Sequence, residues 1–321
     1  MNASPFVAVV TPVYNGEKFL DETMRCVQAL TYPNLVHVIL DNCSSDGTAE
    51  IIARYTAGRV PLLVHRNSET LPLRDNWNSA VSHVPEDAEY IRLLCADDTM
   101  SPESVSEMVA LAETDPEIGV VGCDYRCFGE EQETYWPEDR SVFGGIEAIR
   151  MTLLREGIII PIHTLVRKSV ADKRQPLFQP PLQSAFDLDT ALSLLTHSKF
   201  GFVHKSLGFI RVDDSTVTNQ KFGPKTRAWT REALYLMNEY GPKAFGSDYE
   251  KRLLQYRRYY VRRILKWRKE DGGDQNLERH FEALKNAGWP FNWVLVADAL
   301  MDWGMQRLGV RRNWSGYPGW Q

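Results

Sequence analysis

The fold is indicated first by the stretch Phe6-Val7-Ala8-Val9-Val10-Thr11-Pro12-Val13-Tyr14-Asn15. Its first five residues are a compact apolar run, which is typical of a strand buried on both faces. A helical pattern with its apolar residues on one stripe follows over residues 17–30, and a second apolar strand is predicted over 35–40. A strand, a helix and a strand in this order predict the start of a parallel sheet.

The same alternation continues along the chain. We therefore predict an α/β fold with a doubly wound, mostly parallel sheet that is flanked by helices. Further helices are predicted over 48–56, near 77–81, from 101 onward and over 186–195, and further strands over 62–65, 90–94, 120–123, 157–166 and within 200–211, with a loop or small hairpin over 129–145.

Polar clusters follow three of these strands, at 11–15, at 41–46 and at Asp97-Asp98. Ligands of such sheets bind beyond the carboxyl ends of the strands, so the three clusters are expected to meet there. Carboxylates gathered at one place suit a divalent cation and a phosphorylated ligand. No GxGxxG follows the first strand, and GxxxxGK[ST] and GxSxG are absent, which disfavours dinucleotide-binding, P-loop and α/β-hydrolase proteins.

The order Thr11-Pro12-Val13-Tyr14-Asn15, then Asp41-Asn42-Cys43-Ser44-Ser45-Asp46-Gly47-Thr48, then Asp97-Asp98 resembles the family-2 glycosyltransferases. These are inverting enzymes of the GT-A fold, and the resemblance covers roughly residues 5–218. It implies transfer of a sugar from a nucleoside-diphosphate sugar to an acceptor hydroxyl. The sequence departs from the family pattern at Cys95, where the family often has the first of its acids.

The resemblance also implies roles in binding the donor. Asp41 would read the base, which favours a UDP- or dTDP-sugar without excluding GDP, and Asp97 would bind Mn²⁺ or Mg²⁺ together with the diphosphate. Asp98 would contact the metal or the donor sugar, and an alternative is that Asp97-Asp98 only caps the following helix. The remaining candidates are Thr11, Pro12, Tyr14 and Asn15 beside the base and ribose, Arg74 and Arg211 near the diphosphate, and Asp213 as a further metal ligand in place of a family histidine.

Asp187, in the segment Phe186-Asp187-Leu188-Asp189-Thr190, matches the acid that serves the family as general base. Asp189 is the second candidate, although it faces elsewhere on a helix. His163 could contact the acceptor or the donor sugar, and a buried structural histidine is the alternative. For Arg211 the alternative is a structural ion pair.

The carboxy-terminal part of the chain differs in composition. Residues 221–321 carry 19 basic and 11 acidic side chains, whereas the whole chain of 321 residues has a net charge of −5, and seven of the nine tryptophans follow Ala228. We predict a catalytic domain over 1–219 and a helical, basic and aromatic extension over 220–321, with helices near 251–269 and 291–308. The segment 251–308 could be a packing helix pair with a solvated face, a contact with an anionic membrane surface or a contact with another subunit.

The sequence thus predicts an inverting, metal-dependent hexosyltransferase with a saccharide or lipid-linked acceptor, in surface polysaccharide or glycolipid assembly. No nucleic-acid partner is expected, and the sequence does not specify the oligomeric state. Neither a secretory signal nor an apolar run long enough to span a membrane is recognised, so we expect a cytoplasmic protein, either free or peripheral at the inner face of the membrane. The alternatives are a sugar-phosphate nucleotidyltransferase and a sugar-nucleotide-binding module without activity, for which Cys95 is the best argument.

Overall fold

The computed structural model describes residues 4–127, 129–213, 227–270 and 274–310, without the side chains of 268–270 and 274–276. The chain divides into two compact units, 1–145 with 159–213 and 146–158 with 214–321. The segment 146–158 is therefore inserted, along the chain, between two parts of the first unit. The boundary predicted between 219 and 220 lies outside the described residues, as does the end of the motif that runs to Thr218, and both stay predictions.

A single sheet of ten strands organises the first unit. The strands are β1 Val7–Val13, β2 Leu35–Asp41, β3 Leu62–Arg66, β4 Tyr90–Leu93, β5 Thr99–Met100, β6 Ile118–Cys127, β7 Glu130–Gln132, β8 Val142–Phe143, β9 Leu165–Arg167 and β10 Lys199–Ile210. Their order is β3-β2-β1-β4-β9-β6-β10-β5, with β7 on β6 and β8 on β10. Strands β1 to β4 are parallel, β9 is antiparallel to both of its neighbours, and β10 is parallel to β6. The predicted, mostly parallel sheet is confirmed.

Helices cover this sheet and supply much of its core. They are α1 Leu20–Gln28, α2 Thr48–Ala53, α3 Leu73–Val81, α4 Ser104–Ala112, α6 Lys168–Ala171 and α7 Phe186–Leu195. Helix α5, Gly145–Leu154, comes between α4 and α6 along the chain and belongs to the second unit from residue 146 onward. Helix α1 buries the predicted stripe of Leu20, Met24 and Val27. Every residue of β1 is buried, as expected for a strand covered on both faces.

The prediction of a strand over 157–166 is wrong in its first part. Residues Pro161–His163 form a turn of 3₁₀ helix, and only Leu165–Arg167 pair in the sheet. Pro161 lacks the N–H that a sheet ladder needs, and the Thr164 hydroxyl donates to the Pro161 carbonyl oxygen at 2.6 Å, which closes the turn. The turn places His163 beneath the end of β4 instead of on a strand face.

The second unit is helical. It contains α8 Ala228–Phe245, α9 Tyr249–Glu270, α10 Asp274–Asn286 and α11 Trp293–Arg307. Leu154 of α5 packs in a core with Leu234, Met237 and Tyr256, and the Tyr260 hydroxyl lies 2.6 Å from Nδ1 of the buried His280. Two predicted helices correspond to α9 and α11. Within the described residues, no helix is both long and apolar enough to cross a bilayer.

Candidate active site

The loops after β1 and β2 are tied together by their own polar side chains. The backbone N–H of Asn15 donates to Ser44 Oγ at 2.9 Å, and the side-chain Oδ1 of Asn15 accepts from the backbone N–H of Ser45 at 3.0 Å. The Glu17 N–H donates to Asp46 Oδ2 at 2.9 Å. Asn15 has a φ of 48°, a left-handed conformation that asparagine tolerates better than most residues. The Asn15 side chain therefore serves the loop, and its predicted contact with a nucleotide stays a prediction.

Asp41 is buried at the end of β2 and forms an ion pair. Its Oδ1 accepts from the Ser44 N–H at 2.8 Å, and its Oδ2 accepts from Nη1 of Arg66. Arg66 also donates to the Ser44 carbonyl oxygen at 2.8 Å, and its own side chain is half exposed. Sequence reasoning missed Arg66, although it ends β3 directly beside Asp41 in the sheet register.

The other candidates for binding the base and diphosphate differ in accessibility. The Thr11 hydroxyl is fully buried and lies 2.9 Å from Nε2 of His37, and Pro12 is buried within β1. Tyr14 is 53% exposed at the end of the strand. Arg74, in the first turn of α3, donates to the Leu182 carbonyl oxygen at 3.4 Å. Of these four side chains, Tyr14 is the exposed one.

Three side chains after β4 form a compact group. One ligand atom each from Cys95, Asp97 and Asp98 lies within 4.8 Å of the others. Burial raises the pKa of Asp97, and burial together with the charge of Asp97 raises the pKa of Asp98 to about 8. Two buried carboxyl groups that resist ionisation this way fit a divalent cation, whose charge would offset the repulsion.

Cys95 fits that cation less well. Burial, followed by the negative charges of Asp98, Asp97 and Asp187, raises the pKa of the Cys95 thiol well above its ordinary value. Thiol sulfur is also a soft ligand, which suits Mg²⁺ and Mn²⁺ less well than carboxylate oxygen does. The two carboxylates are the better candidate ligands.

Buried polar groups lie beneath Asp98. Its Oδ1 accepts from the Arg211 N–H at 2.8 Å, and its Oδ2 lies 3.6 Å from Nε2 of His163. Nδ1 of His163 is 3.4 Å from Nη2 of Arg92, which is fully buried and donates to the Leu93 carbonyl oxygen at 2.6 Å. Burial, and then the charge of Arg92, lowers the pKa of His163 far below its usual value, so the ring is neutral.

His163 is buried, whereas a side chain that contacts a sugar must be accessible from the site. It is 1% exposed, and a Cβ on Gly208 would come within 2.8 Å of its ring, so the ring is enclosed by β10. The alternative of a buried structural histidine fits this placement better. Sequence reasoning also missed Arg92, because a basic residue inside a short apolar strand gives no sign of its partners.

Arg211 and Asp213, after β10, are both held by other side chains. The Arg211 guanidinium donates to the Asp97 carbonyl oxygen at 3.0 Å, pairs with Glu22 and lies 4.5 Å from the centre of the Phe19 ring. The Asp213 carboxylate accepts from Lys18 Nζ at 2.9 Å, and among the described residues it is outside the metal-capable group. These contacts favour the alternative of a structural ion pair for Arg211, and a metal contact by Asp213 stays a prediction.

The first turn of α7 carries both candidate bases. Asp187 is partly buried, accepts from the Leu188 N–H at 2.7 Å, and lies close enough to Cys95 for its charge to act on the thiol. Asp189 is buried and forms an ion pair with Arg174, whose side chain is 12% exposed. The fold thus brings Asp187 to the acidic group and commits Asp189 to a structural contact.

Comparison with known proteins agrees with this arrangement. The model of the glycosyl transferase family 2 matches residues 8–174, just over half of the chain, and the chain belongs to that family. EpsE of Bacillus subtilis, which is named as a glycosyltransferase, is 30% identical over 133 residues, 40% of this chain and 46% of EpsE. TuaG of the same organism, named for teichuronic acid biosynthesis, is 23% identical over 71% of this chain and 87% of its own. The match thus spans less than half of EpsE.

Solved structures with similar folds include TarS and a mannosyltransferase. Residues 1–349 of TarS from S. aureus, in complex with UDP-GlcNAc, align with a TM-score of 0.66 at 14% identity, over 88% of this chain and 80% of that one. The mannosyltransferase PcManGT from Pyrobaculum calidifontis, in complex with GDP-Man and Mn²⁺, aligns with a TM-score of 0.56 at 17% identity, over 98% and 83%. The predicted GT-A fold is confirmed.

Proposed function

We propose that this chain is an inverting glycosyltransferase that moves a hexosyl group from a nucleoside-diphosphate sugar to an acceptor hydroxyl. The observation that carries the proposal is that Asp187 lies near enough to Cys95, which groups with Asp97 and Asp98, for its charge to help raise the pKa of the thiol. A base beside a site for the diphosphate is what a direct displacement at the anomeric carbon requires.

The donor in this proposal is a UDP- or dTDP-sugar. A carboxylate at Asp41 can accept the N3–H of uracil or thymine while it keeps its contacts with Ser44 and Arg66, since it offers about four lone-pair positions. The complex of TarS with UDP-GlcNAc supports this choice of base. The complex of PcManGT with GDP-Man keeps a guanine nucleotide as the alternative.

Asp97 and Asp98 would hold Mn²⁺ or Mg²⁺ in this proposal, and the Mn²⁺ in the PcManGT complex supports it. When bound, the cation would neutralise negative charge on the departing diphosphate. The chain itself fixes the two carboxyl groups. The Arg211 N–H holds Asp98 from one side, and the Arg211 guanidinium holds the backbone at Asp97.

The reaction is a single displacement. A carboxylate oxygen of Asp187 accepts the proton of the acceptor hydroxyl while the hydroxyl oxygen attacks the anomeric carbon. The bond between that carbon and the diphosphate oxygen breaks, and its electron pair leaves with the nucleoside diphosphate. The attack comes from the opposite side of the sugar, so the configuration inverts and no covalent intermediate with the enzyme forms.

We further propose a saccharide or lipid-linked acceptor and a role in assembling a surface polysaccharide or glycolipid, on the cytoplasmic side of the membrane. The name of TuaG, which refers to teichuronic acid biosynthesis, supports an acceptor of this kind.

Asp187→Asn tests the proposed base. The variant should fold and bind UDP with Mn²⁺ as the wild type does, and its transfer rate should fall by about 10²- to 10⁴-fold, the usual contribution of a general base. Asp172→Asn, which changes a half-exposed acid after α6, is the matched control and should keep full activity. Near-wild-type turnover of Asp187→Asn would show that the base is another group.

The products of the wild-type reaction test the class of enzyme. Release of nucleoside diphosphate supports a glycosyltransferase, and release of pyrophosphate supports a nucleotidyltransferase. If neither product is released with any nucleotide sugar and metal, the chain is better explained as a sugar-nucleotide-binding module without activity.

A further inference from the structure

Helix α11 exposes large apolar side chains in addition to those that it buries. Seven of the fourteen large apolar side chains that are exposed in the described chain lie between residues 293 and 310. Trp293 is 82% exposed, Val294 79%, Met301 63% and Leu308 80%. A helix that packs on a soluble core normally exposes charged and polar residues there, so this surface needs a different explanation.

Trp303 and Val310 lie apart from the other five exposed residues, which form one continuous strip with Ala297 and Gly304. At 100° per residue, they share an arc of about 120° around the helix axis. We call this strip the outer face of α11, and it consists of Trp293, Val294, Ala297, Leu300, Met301, Gly304 and Leu308. It contains no charged side chain, and its length is roughly four turns.

The carboxylates of α11 face the opposite way, towards α9. Arg258 donates to both oxygens of Asp298, at 2.8 and 2.7 Å, and to Asp302 at 3.1 Å, while Arg262 donates to the other oxygen of Asp302 at 3.0 Å. Leu295, Val296 and Ala299 are buried on the same side. The negative charges of α11 are thus neutralised inside the unit, and its inner face fixes the helix in place.

The sequence around and after the outer face is basic and aromatic. Arg307 is exposed, and its guanidinium lies 4.4 Å from the centre of the Trp303 ring. After Asp302 the chain contains three arginines (Arg307, Arg311 and Arg312), three tryptophans including Trp303, and no acidic residue. An apolar strip next to tryptophan and arginine matches an anionic lipid surface, where the rings lie at the headgroup level and the cations contact phosphate.

We propose that the outer face of α11 binds in the plane of an anionic lipid bilayer. The inner face of α11 stays packed on α9, so the helix lies along the interface with only its outer strip among the acyl chains. The same strip could pair with a second copy of this chain, but that would gather arginines of like charge at one contact, whereas an anionic headgroup layer neutralises them. This inference is independent of the donor, the metal and the base proposed above.

Co-sedimentation of the full chain with vesicles tests the proposal. The wild type should sediment with vesicles of phosphatidylcholine and phosphatidylglycerol in equal parts, bind more weakly to phosphatidylcholine alone, and bind the mixed vesicles less in high salt. The double variant Leu300→Glu/Met301→Glu should bind the mixed vesicles at least about tenfold more weakly, because it places two charges in the strip. Both positions are exposed, so the variant should keep the helical circular dichroism spectrum of the wild type.

Ile146→Glu is the matched control, since Ile146 is an exposed apolar residue of another helix of the same unit, and it should bind vesicles as the wild type does. Wild-type protein that stays in the supernatant with every vesicle, or a double variant that binds as tightly as the wild type, would overturn the proposal. So would a wild-type dimer in sedimentation velocity that the double variant dissociates without any vesicle binding, because the strip would then be a contact between copies.

Discussion

Asp97 and Asp98 are adjacent carboxyl groups in a largely buried site, and their mutual repulsion opposes folding unless a cation or a proton offsets it. Near neutral pH the raised pKa of Asp98 costs folding stability, because the unfolded chain ionises this carboxyl freely; Asp98→Asn removes that cost and keeps the Oδ1 acceptor for the Arg211 N–H. We expect the metal-free variant to unfold at a higher temperature than the wild type, by about 1 kcal/mol of added stability, while transfer activity falls. Thermal denaturation with and without Mn²⁺ and UDP measures both effects.

One result of this denaturation experiment would contradict the role of Asp98 as a metal ligand. If metal-free Asp98→Asn is less stable than the wild type and still gains stability from Mn²⁺, Asp98 is not a ligand of the cation. The wild type should gain stability from Mn²⁺ with UDP, because any ligand that binds only the folded state shifts the equilibrium toward it.

His37 should make the protein sensitive to acid. Its side chain is fully buried within β2, and burial lowers its pKa from 6.5 to about 3. The unfolded chain takes up a proton on His37 near pH 6.5, whereas the folded chain keeps the ring neutral down to about pH 3. The stability from His37 is thus complete above pH 6.5 and is lost as the pH falls below it, at about 1.4 kcal/mol per pH unit.

Urea unfolding at pH 7, 6 and 5 checks this expectation, with His37→Gln as the comparison. The glutamine amide can keep the contact with the Thr11 hydroxyl and does not titrate. As the pH is lowered from 7 to 5, the free energy of unfolding of the wild type should fall more steeply than that of the variant. Equal slopes would mean that His37 is protonated in the folded state as easily as in the unfolded chain.

The residues that carry the candidate chemistry could be predicted from the sequence, but their partners could not. Asp97 follows a strand and Asp187 starts a helix, so their positions depend only on where each element ends. Arg66 meets Asp41 through the register of β2 with β3, and Arg92 meets His163 through a 3₁₀ turn of distant sequence. Contacts of that kind depend on how elements pair, and local sequence patterns contain no information about pairing.

At the level of the elements, Gly145 shows where a missing side chain decides the packing. A Cβ at Gly145 would lie 1.9 Å from the Leu195 carbonyl oxygen and 2.0 Å from that of Ser198, so the start of α5 has no room for any other residue. Gly145→Ala should destabilise the protein by at least about 2 kcal/mol, because backbone atoms cannot move aside as a side chain can. Urea unfolding measures the loss.

Gly304→Ala is the control for that experiment. A Cβ at Gly304 meets no atom within 4 Å, and the residue is inside α11. Alanine is favoured over glycine in a helix by up to about 1 kcal/mol, so this variant should be as stable as the wild type or more so. Equal losses for the two variants would mean that the close approach at Gly145 does not determine the effect.

The regularity of the local sequence pattern also determines which elements could be predicted. The strand β1 and the helix α1 show uniform periodicity, and both were predicted. Helix α8 was not predicted, and it runs through Gly241-Pro242, a pair that is typical of a helix stop. The helix nevertheless continues to Phe245, since Leu234, Met237 and Tyr240 are buried and tertiary packing outweighs the local cost.

Across the whole chain, part of the positive charge of the basic carboxy-terminal segment is paired within that segment. The basic residues of α9 were expected on a solvated or membrane-facing surface. Arg258 and Arg262 instead neutralise Asp298 and Asp302 of α11 within the second unit. Net charge predicts the overall field of a segment, whereas the partners of individual charges depend on which helices pack together.

The division into two units predicts how a truncated chain behaves. A fragment of residues 1–219 retains the segment 146–158 but lacks α8 to α11, which supply the core around Leu154. Leu154, only 4% exposed in the full chain, and its neighbour Leu153 would then face solvent. We expect the fragment to aggregate or to unfold at a lower temperature than the full chain, because exposing buried leucine side chains costs about 1.5–3 kcal/mol each.

Replacing both leucines with glutamine separates this cause from a general loss of folding. In the fragment, Leu153→Gln/Leu154→Gln should increase the monomeric fraction in size-exclusion chromatography, since the exposed apolar surface is removed. In the full chain the same double variant should lower the unfolding temperature, because there Leu154 is part of a core. A 1–219 fragment that is already monomeric and as stable as the full chain would show that the segment 146–158 does not need the second unit.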